Sequence, residues 1–276
     1  MDMDQKQQRA EPIHRDPWFW SHYNDAANII LELAPKTALG AGCRVIDFGC
    51  GDGITACGVA SRAKAEVFGV DLYQTFLRLP SYLESNLASA EMPPNLRFRQ
   101  NAVGQQLPFG DCFADLVYSW SVFEHLANPD EILSDLWRIL KPGGLLFLQI
   151  EPLFYSPYGS HLQRLIAEPW AHLIYPEDEY IRIAQRAQDE VPPEEQDTLY
   201  RTNAFEDLKK YLIAEFLKLN RITADQLVHS VKSRGFDIVS ERRIRIEGLS
   251  PPAALLRRHA FDDLVVNQIV VIAQRP

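Results

Sequence analysis

Nine residues constrain this chain more than any others: Val45-Ile46-Asp47-Phe48-Gly49-Cys50-Gly51-Asp52-Gly53. Val45, Ile46 and Phe48 are apolar and suit a strand buried on both faces. Gly49, Gly51 and Gly53 alternate through a turn, where glycine tolerates positive φ and lets a ligand approach the backbone. The following segment, Ile54 to Lys64, carries Ala56, Val59, Ala60 and Ala63 and suits a helix packed on a sheet. A ligand of such a unit sits beyond the carboxyl end of the strand, beside the helix N-terminus. The spacing is G-x-G-x-G, whereas a dinucleotide fingerprint needs G-x-G-x-x-G. Asp47 and Asp52 also crowd the place a pyrophosphate would take. That repels a diphosphate and suits a ligand with a cationic end. A nicotinamide oxidoreductase is therefore disfavoured.

Strand-like and helix-like segments alternate on both sides of this turn. Strands are expected at Val45–Phe48, Glu66–Val70, Leu96–Arg99, Ala114–Tyr118 and Leu145–Ile150. Helices are expected over Trp18–Leu33, with Asp16-Pro17 as its start signal, over Gln74–Ala90 and over Pro129–Leu140. Lys141-Pro142-Gly143-Gly144 stops the last of these. Residues 151–222 lose the pattern and are rich in aromatics, charges and prolines, which reads as a helical insertion. The pattern resumes with a helix over Thr223–Ser233 and strands at Phe236–Arg243 and Gln268–Ala273. The fold class is α/β, with a doubly wound, mostly parallel seven-stranded sheet and a helical insertion after the fifth strand. Residues 1–15 read as a disordered tail, 16–150 as a ligand-binding core, 151–222 as a lid and 223–276 as the remainder of the sheet. Within the lid, "DEVPPEEQDT" lacks apolar anchors, and protease cleavage is expected between about Asp189 and Thr198.

Asp71 ends the second strand about 20 residues beyond the glycine turn, where an acid accepts hydrogen bonds from ribose hydroxyls. Four segments then fall in order: "DFGCGDG" at 47–53, Asp71, "NAVGQQLPFGDCFADLV" at 101–117 and "SWSVFEHLANPDEILSDLWRILKPGG" at 119–144. In order and spacing they resemble the class I S-adenosylmethionine-dependent methyltransferases. The resemblance covers about residues 40 to 150. It implies a Rossmann-like methyltransferase fold, S-adenosyl-L-methionine as cofactor and S-adenosyl-L-homocysteine as product. It also implies cofactor-binding roles. Asp47 would hold the methionine ammonium, and Gly49 and Gly51 would let the methionine lie against backbone. Asp71 would take the ribose, with Leu72 beside it. Asn101 and Ala102 fall at the adenine, Ser119 would offer a carbonyl to the ammonium, and Trp120 would bound the pocket. Asn101 departs from the family's usual aspartate, but its amide oxygen can pair with an amino group.

Methyl transfer from a sulfonium is an in-line displacement, and its acceptor benefits from a group that takes a proton. Histidine suits this near neutral pH. His161 is the first candidate, because Pro157 and Gly159 allow a bend that turns it toward the cleft. His125 is the second. Glu124-His125 reads as a structural pair that orients its loop. Quinone-modifying relatives include some in which a similar pair helps bind a divalent metal, but one pair is too little to predict a metal, and none is expected.

The acceptor is expected to be a small molecule, such as a sugar or specialised metabolite, methylated on oxygen or nitrogen. The chain of 276 residues carries a net charge of −9, which argues against a nucleic-acid backbone as partner. The N-P-P-Y-like motif of base amino methyltransferases is replaced by Ser119-Trp120-Ser121-Val122. The insertion from Glu151 to Arg221 holds 13 acids and 8 bases. Its aromatic residues suit a lid over an amphipathic acceptor, with Tyr155, Tyr158, Trp170 and His172 as the binding candidates. The competing role for the insertion is homodimerisation. A catalytically silent cofactor-fold partner and a quinone- or lipid-type methyltransferase are the alternative functions. Cys43, Cys50, Cys57 and Cys112 have neither C-x-x-C nor metal-type spacing. No apolar run reaches membrane-span length and the polar N-terminus lacks an apolar signal region, so the expected location is the cytoplasm.

Overall fold

The computed structural model describes residues 16–188 and 205–276. The expected disordered tail, Met1–Arg15, and the expected cleavage segment, Asp189–Thr198, lie outside the described residues. Seven strands form one sheet: β1 Arg44–Phe48, β2 Glu66–Asp71, β3 Leu96–Gln100, β4 Ala114–Trp120, β5 Leu140–Ile150, β6 Asp237–Arg245 and β7 Val266–Gln274. Their order is β3-β2-β1-β4-β5-β7-β6. The pairs β1–β2, β1–β4, β2–β3 and β4–β5 are parallel, and β7 runs antiparallel to both β5 and β6. The chain order reverses between β1 and β4, so their carboxyl ends frame the crevice where such sheets bind ligands.

Alternation along each strand feeds two cores. Ile46, Val117, Leu146 and Leu148 face one, which α5 (Pro129–Ile139) and α9 (Ala224–Ser233) cover with Leu133, Leu136, Leu227 and Val231. Val45, Leu116, Tyr118 and Phe147 face the other, closed by α2 (Ala27–Leu33), α3 (Ile54–Ala60) and α4 (Leu79–Leu87) through Ile30, Ile54, Val59 and Leu83. Burial on both faces is why these strands read as continuous apolar runs. The short helix α1 (Pro17–Trp20) is capped by Asp16, whose carboxylate accepts from the Trp18 N–H. A six-residue π segment, Ser21–Ala26, joins α1 to α2. That segment packs on α3 at Gly58, where any Cβ would lie 2.2 Å from the Tyr23 carbonyl oxygen.

Several boundaries differ from expectation: the helix expected over Gln74–Ala90 is a 3-10 turn over Gln74–Arg78 followed by α4, which ends at Leu87, and the last two strands run Asp237–Arg245 and Val266–Gln274. The glycine-turn helix stops at Ala60, not Lys64, because Ala65 already opens the next strand's core. The "KPGG" segment belongs to β5: Ala114 pairs with Leu140 and Leu116 with Leu145, so residues 141–144 bulge out of the ladder around Gly143 at φ +79°.

Residues 151–222 carry α6 (Ala171–Ile174), α7 (Glu177–Arg186) and α8 (Phe205–Phe216). They have a core of their own, built from Phe154, Leu162, Ile166, Tyr180, Leu208 and Leu212. Two more short helices, α10 (Ala253–Leu256) and α11 (Phe261–Val265), lead into β7.

Candidate active site

The glycine turn is built by contacts, with each glycine answering a different demand. Gly49 has φ +78°, and a Cβ there would lie 2.4 Å from Val122 Cγ2. Gly53 has φ +80°, and a Cβ would meet the Phe98 ring at 2.6 Å. Gly51 has φ +52°, but its missing Cβ faces open space. Gly51 is therefore the position that leaves a cradle, whereas Gly49 serves the turn and its packing.

Asp71 ties this turn down. Its Oδ2 accepts from the Gly51 N–H at 2.9 Å and its Oδ1 from the Tyr73 N–H at 2.8 Å. Each carboxylate oxygen keeps a second lone pair. The Asp71 carbonyl accepts from the Asn101 N–H at 2.8 Å, which joins the ends of β2 and β3. Asn101 spends its amide N–H on the Gln105 carbonyl at 3.4 Å, and its side-chain oxygen accepts no hydrogen bond among the described residues. Leu72 is 40% exposed, and Ala102 is exposed beside it, so both form a rim. On the opposite side, the Trp18 indole N–H donates to Asp52 Oδ2 at 3.0 Å, bringing the leading helix to the turn.

Asp47 is the unusual group. It is the penultimate residue of β1, with 2% exposure, and its Oδ2 has no hydrogen-bond partner among the described residues. Burial pushes its pKa from 3.8 to about 8, with Asp71 and Asp52 adding to the rise. The Tyr118 hydroxyl on β4 points a hydrogen-bond donor at Asp47 and counteracts part of the rise, although the pair falls short of full hydrogen-bond geometry. A buried, unpartnered carboxylate needs an explanation, and a cationic ligand group supplies one. The fully buried Ser119 hydroxyl is likewise unpartnered. Trp120 stacks on Phe147 at 6.4 Å and packs into the core, which makes it a wall rather than a free surface.

Beyond β4 the backbone is bent sharply. Ser121 sits at φ +51° and is pinned by Gln149, whose side-chain oxygen accepts from its N–H at 2.9 Å and its hydroxyl at 3.0 Å. This turn delivers Glu124 and His125 to His161, which stands at φ +60°. The His125 and His161 rings meet edge to face at 5.2 Å. Two residues earlier Gly159 permits a tight approach, since a Cβ there would lie 2.1 Å from the Phe154 carbonyl oxygen. Ligand-type atoms of Glu124, His125 and His161 all lie within 4.8 Å of one another. Both Glu124 oxygens, His125 Nδ1 and His161 Nε2 lack hydrogen-bond partners among the described residues. Burial raises Glu124 from 4.5 to about 8 and lowers His161 from 6.5 to about 4. A carboxylate with two imidazoles is a set that can hold a divalent transition metal. The sequence reading expected no metal because it saw only the pair at 124–125.

The substrate candidates separate. Tyr155 and His172 line a cavity of about 280 Å³. His172 Nε2 lies 2.6 Å from the Phe154 carbonyl oxygen, and burial lowers its pKa to about 4. Trp170 does not reach the cavity: it is 3% exposed, donates from its indole to the Leu264 carbonyl at 2.9 Å and packs on Leu255. It was singled out because a large aromatic in a polar segment suggests binding, but it anchors the insertion to the C-terminal helices. Tyr158 is half-buried and is not among the residues lining the cavity.

Residues 46–148 match the family model described as "Methyltransferase domain". This segment is a class I S-adenosylmethionine-dependent methyltransferase domain. The methyltransferase domain is 32% identical over 105 residues to a ubiquinone biosynthesis O-methyltransferase of Maricaulis maris, covering 38% of this chain and 39% of the relative. It is 27% identical over 145 residues to the tRNA 5-carboxymethoxyuridine methyltransferase of Escherichia coli, covering 52% of this chain and 51% of the relative. The matches thus span about half or less of these relatives' lengths. Among solved structures, phosphoethanolamine N-methyltransferase 2 of Haemonchus contortus, in complex with S-adenosyl-L-methionine, is similar in fold. Its TM-score is 0.55 at 16% identity, covering 96% of this chain and 56% of that one. The residues present fit this cofactor: the orphaned Asp47 carboxylate suits its ammonium, and the Gly51 cradle leaves room against backbone.

One contributor was not found from sequence, and a second was read only as half of a structural pair. Gln149 lies inside an apolar strand, and nothing local marks it as the holder of Ser121. Glu124 stands between Phe123 and Leu126 in "VFEHL", and an acid in so apolar a setting was the available sign that it is buried.

Proposed function

We propose that this chain transfers a methyl group from S-adenosylmethionine to an oxygen or nitrogen of a small molecule, a sugar or specialised metabolite being the type first in view. The observation that carries this reading is Asp47, a buried and unpartnered carboxylate beneath a glycine turn that disfavours phosphate. When bound, the cofactor supplies a methyl already activated on a sulfonium. Asp47 would hold the ammonium, Asp71 the ribose hydroxyls, and Asn101 with Ala102 the adenine edge. Leu72 would form the rim and Ser119 and Trp120 the floor. Residues 151–222 would serve as a lid that excludes water from the crevice. His161, a neutral imidazole at neutral pH, would take the acceptor's proton, with His125 as its neighbour.

A small acceptor is supported by the acidic charge, which gives no electrostatic footprint for a nucleic acid. The Escherichia coli relative is named for a tRNA nucleotide, so the acceptor class needs a direct test. A cytoplasmic setting is supported by four unpaired cysteines, as in a reducing compartment. Among the described residues, no helix is long and apolar enough to cross a membrane.

Calorimetric titration with S-adenosylmethionine, S-adenosylhomocysteine and NADH tests the cofactor, followed by a metabolite screen with methyl-labelled cofactor. Binding of the first two and not NADH is expected. NADH binding, or label appearing only on tRNA, would overturn the proposal.

A further inference from the structure

A cavity of about 280 Å³ in the insertion is walled by four separate stretches of chain. Phe154 and Tyr155 come from the segment after β5, and His172, Leu173, Tyr175 and Glu177 from α6 and the start of α7. Phe216 ends α8, with Arg221 just beyond it, and Arg258 and His259 follow α10. The floor is aromatic: Phe154 and Phe216 stack at 6.5 Å, and the Arg221 guanidinium lies over the Phe154 ring at 5.2 Å.

Both cations are exposed, and the backbone beside one of them is held in place. Asn220 is clamped to the loop after β4, its N–H donating to the Glu124 carbonyl at 2.9 Å. Its amide donates to the carbonyls of Phe123 and Leu126 at 2.6 and 2.9 Å. That clamp holds the backbone next to Arg221, whose side chain lines the cavity. Arg221 pairs with Glu177 at 3.0 Å. Arg258 reaches the same cavity and has no side-chain hydrogen bond or ion pair among the described residues. Two guanidinium groups and one carboxylate leave the lining one positive charge in excess, in a chain of net charge −9. A planar guanidinium fork matches a carboxylate in two hydrogen bonds. A single excess charge is balanced by a monoanion, not by a doubly charged phosphate.

We propose that this cavity binds a small carboxylate with a flat, apolar body, its carboxylate on Arg258 and Arg221 and its body against the part-exposed Tyr155 and Tyr175, and that this carboxylate is the methyl acceptor. The term acceptor rests on the methyl-transfer reading; the anion site does not.

The test is titration of the full chain with benzoate, benzamide and phenyl phosphate, each with and without saturating S-adenosylhomocysteine, for the wild type and Arg258→Gln. Benzoate should bind, and benzamide should bind more weakly. Arg258→Gln should weaken benzoate by about 10- to 100-fold, the loss of a charged hydrogen bond, with S-adenosylhomocysteine affinity unchanged. Equal binding of benzoate and benzamide, or an unaltered benzoate affinity in Arg258→Gln, would overturn the site. Tighter binding of phenyl phosphate would overturn the carboxylate assignment. Benzoate binding without any S-adenosylhomocysteine binding would keep the anion site and sink the methyl-transfer reading instead.

Discussion

Replacing Asp47 with asparagine should make the ligand-free protein more stable and its cofactor binding weaker. In the folded chain Asp47 is buried with no cationic partner, and burial outweighs the nearby Tyr118 hydroxyl to raise its pKa from 3.8 to about 8. The folded state therefore holds a proton that the unfolded state releases above about pH 4. The sign follows from linkage: a raised folded pKa gives stability that is present in acid and is lost as pH climbs from about 4 to about 8. Each unit of that interval costs about 1.4 kcal/mol. At pH 7 the interval already crossed is about three units, which gives about 4 kcal/mol for a fully buried group. Asp47→Asn removes the titration and keeps the shape. Urea denaturation of both proteins at pH 5, 6, 7 and 8 reads the difference. The variant's advantage should grow by about 1.4 kcal/mol per pH unit and level off near pH 8. Cofactor titration at pH 7 should show the opposite, a weaker S-adenosylmethionine complex, because the ammonium loses its counter-charge. A stability gap that is flat with pH, or a variant less stable than wild type at pH 7, would refute burial as the governing cause.

Asp71→Ala should weaken S-adenosylmethionine binding by about 1.5–3 kcal/mol, the worth of a hydrogen bond to a charged group; unchanged calorimetric affinity in a folded variant would contradict the ribose role. Gly49→Ala should cost about 1–3 kcal/mol in urea denaturation, since it meets Val122 at 2.4 Å. Gly51→Ala should cost only about 1 kcal/mol while impairing cofactor binding. His161→Ala should lower turnover by roughly 10²–10⁴-fold with cofactor affinity intact. Because burial holds the His161 pKa near 4, no titration from His161 should appear in wild-type kcat/KM between pH 6 and 9; normal turnover in the variant would remove it from the proton-transfer role.

The sheet was legible because its signal is local and repeated. Val45, Ile46 and Phe48, or Leu145 to Ile150, are apolar on both faces, and glycine or proline closes each unit. The switch of chain order between β1 and β4 follows from that alternation, and with it the place of Asp47, Gly51 and Asp71. The π segment at Ser21–Ala26 was not legible, because it depends on where Gly58 lets the Tyr23 carbonyl approach. Nor was the bulge at residues 141–144, where proline and glycine end a helix in sequence terms but a ladder pairing resumes around them.

The insertion is helical, as expected, whereas Trp170, expected at the acceptor, is buried against the C-terminal helices, and one physical reason covers both outcomes. Periodicity reports that a segment buries a face, but not against what. Trp170 carries as much apolar area as any binding anchor, and only the Leu264 carbonyl and Leu255, some 90 residues away in sequence, decide that it is a brace. The converse holds for Arg221 and Arg258. Each looks like an ordinary surface cation in sequence, and each acquires a role only because Asn220 and α10 bring it to one cavity. His161 lies between these extremes. Gly159 two residues before it hinted at a bend, yet its neighbours Glu124 and His125 come from a loop 36 residues earlier. The burial that sets its pKa near 4 is a property of the assembled cluster. Cofactor chemistry was thus readable where one strand and its turn carry it, whereas acceptor chemistry is distributed over four stretches that meet only in the folded chain.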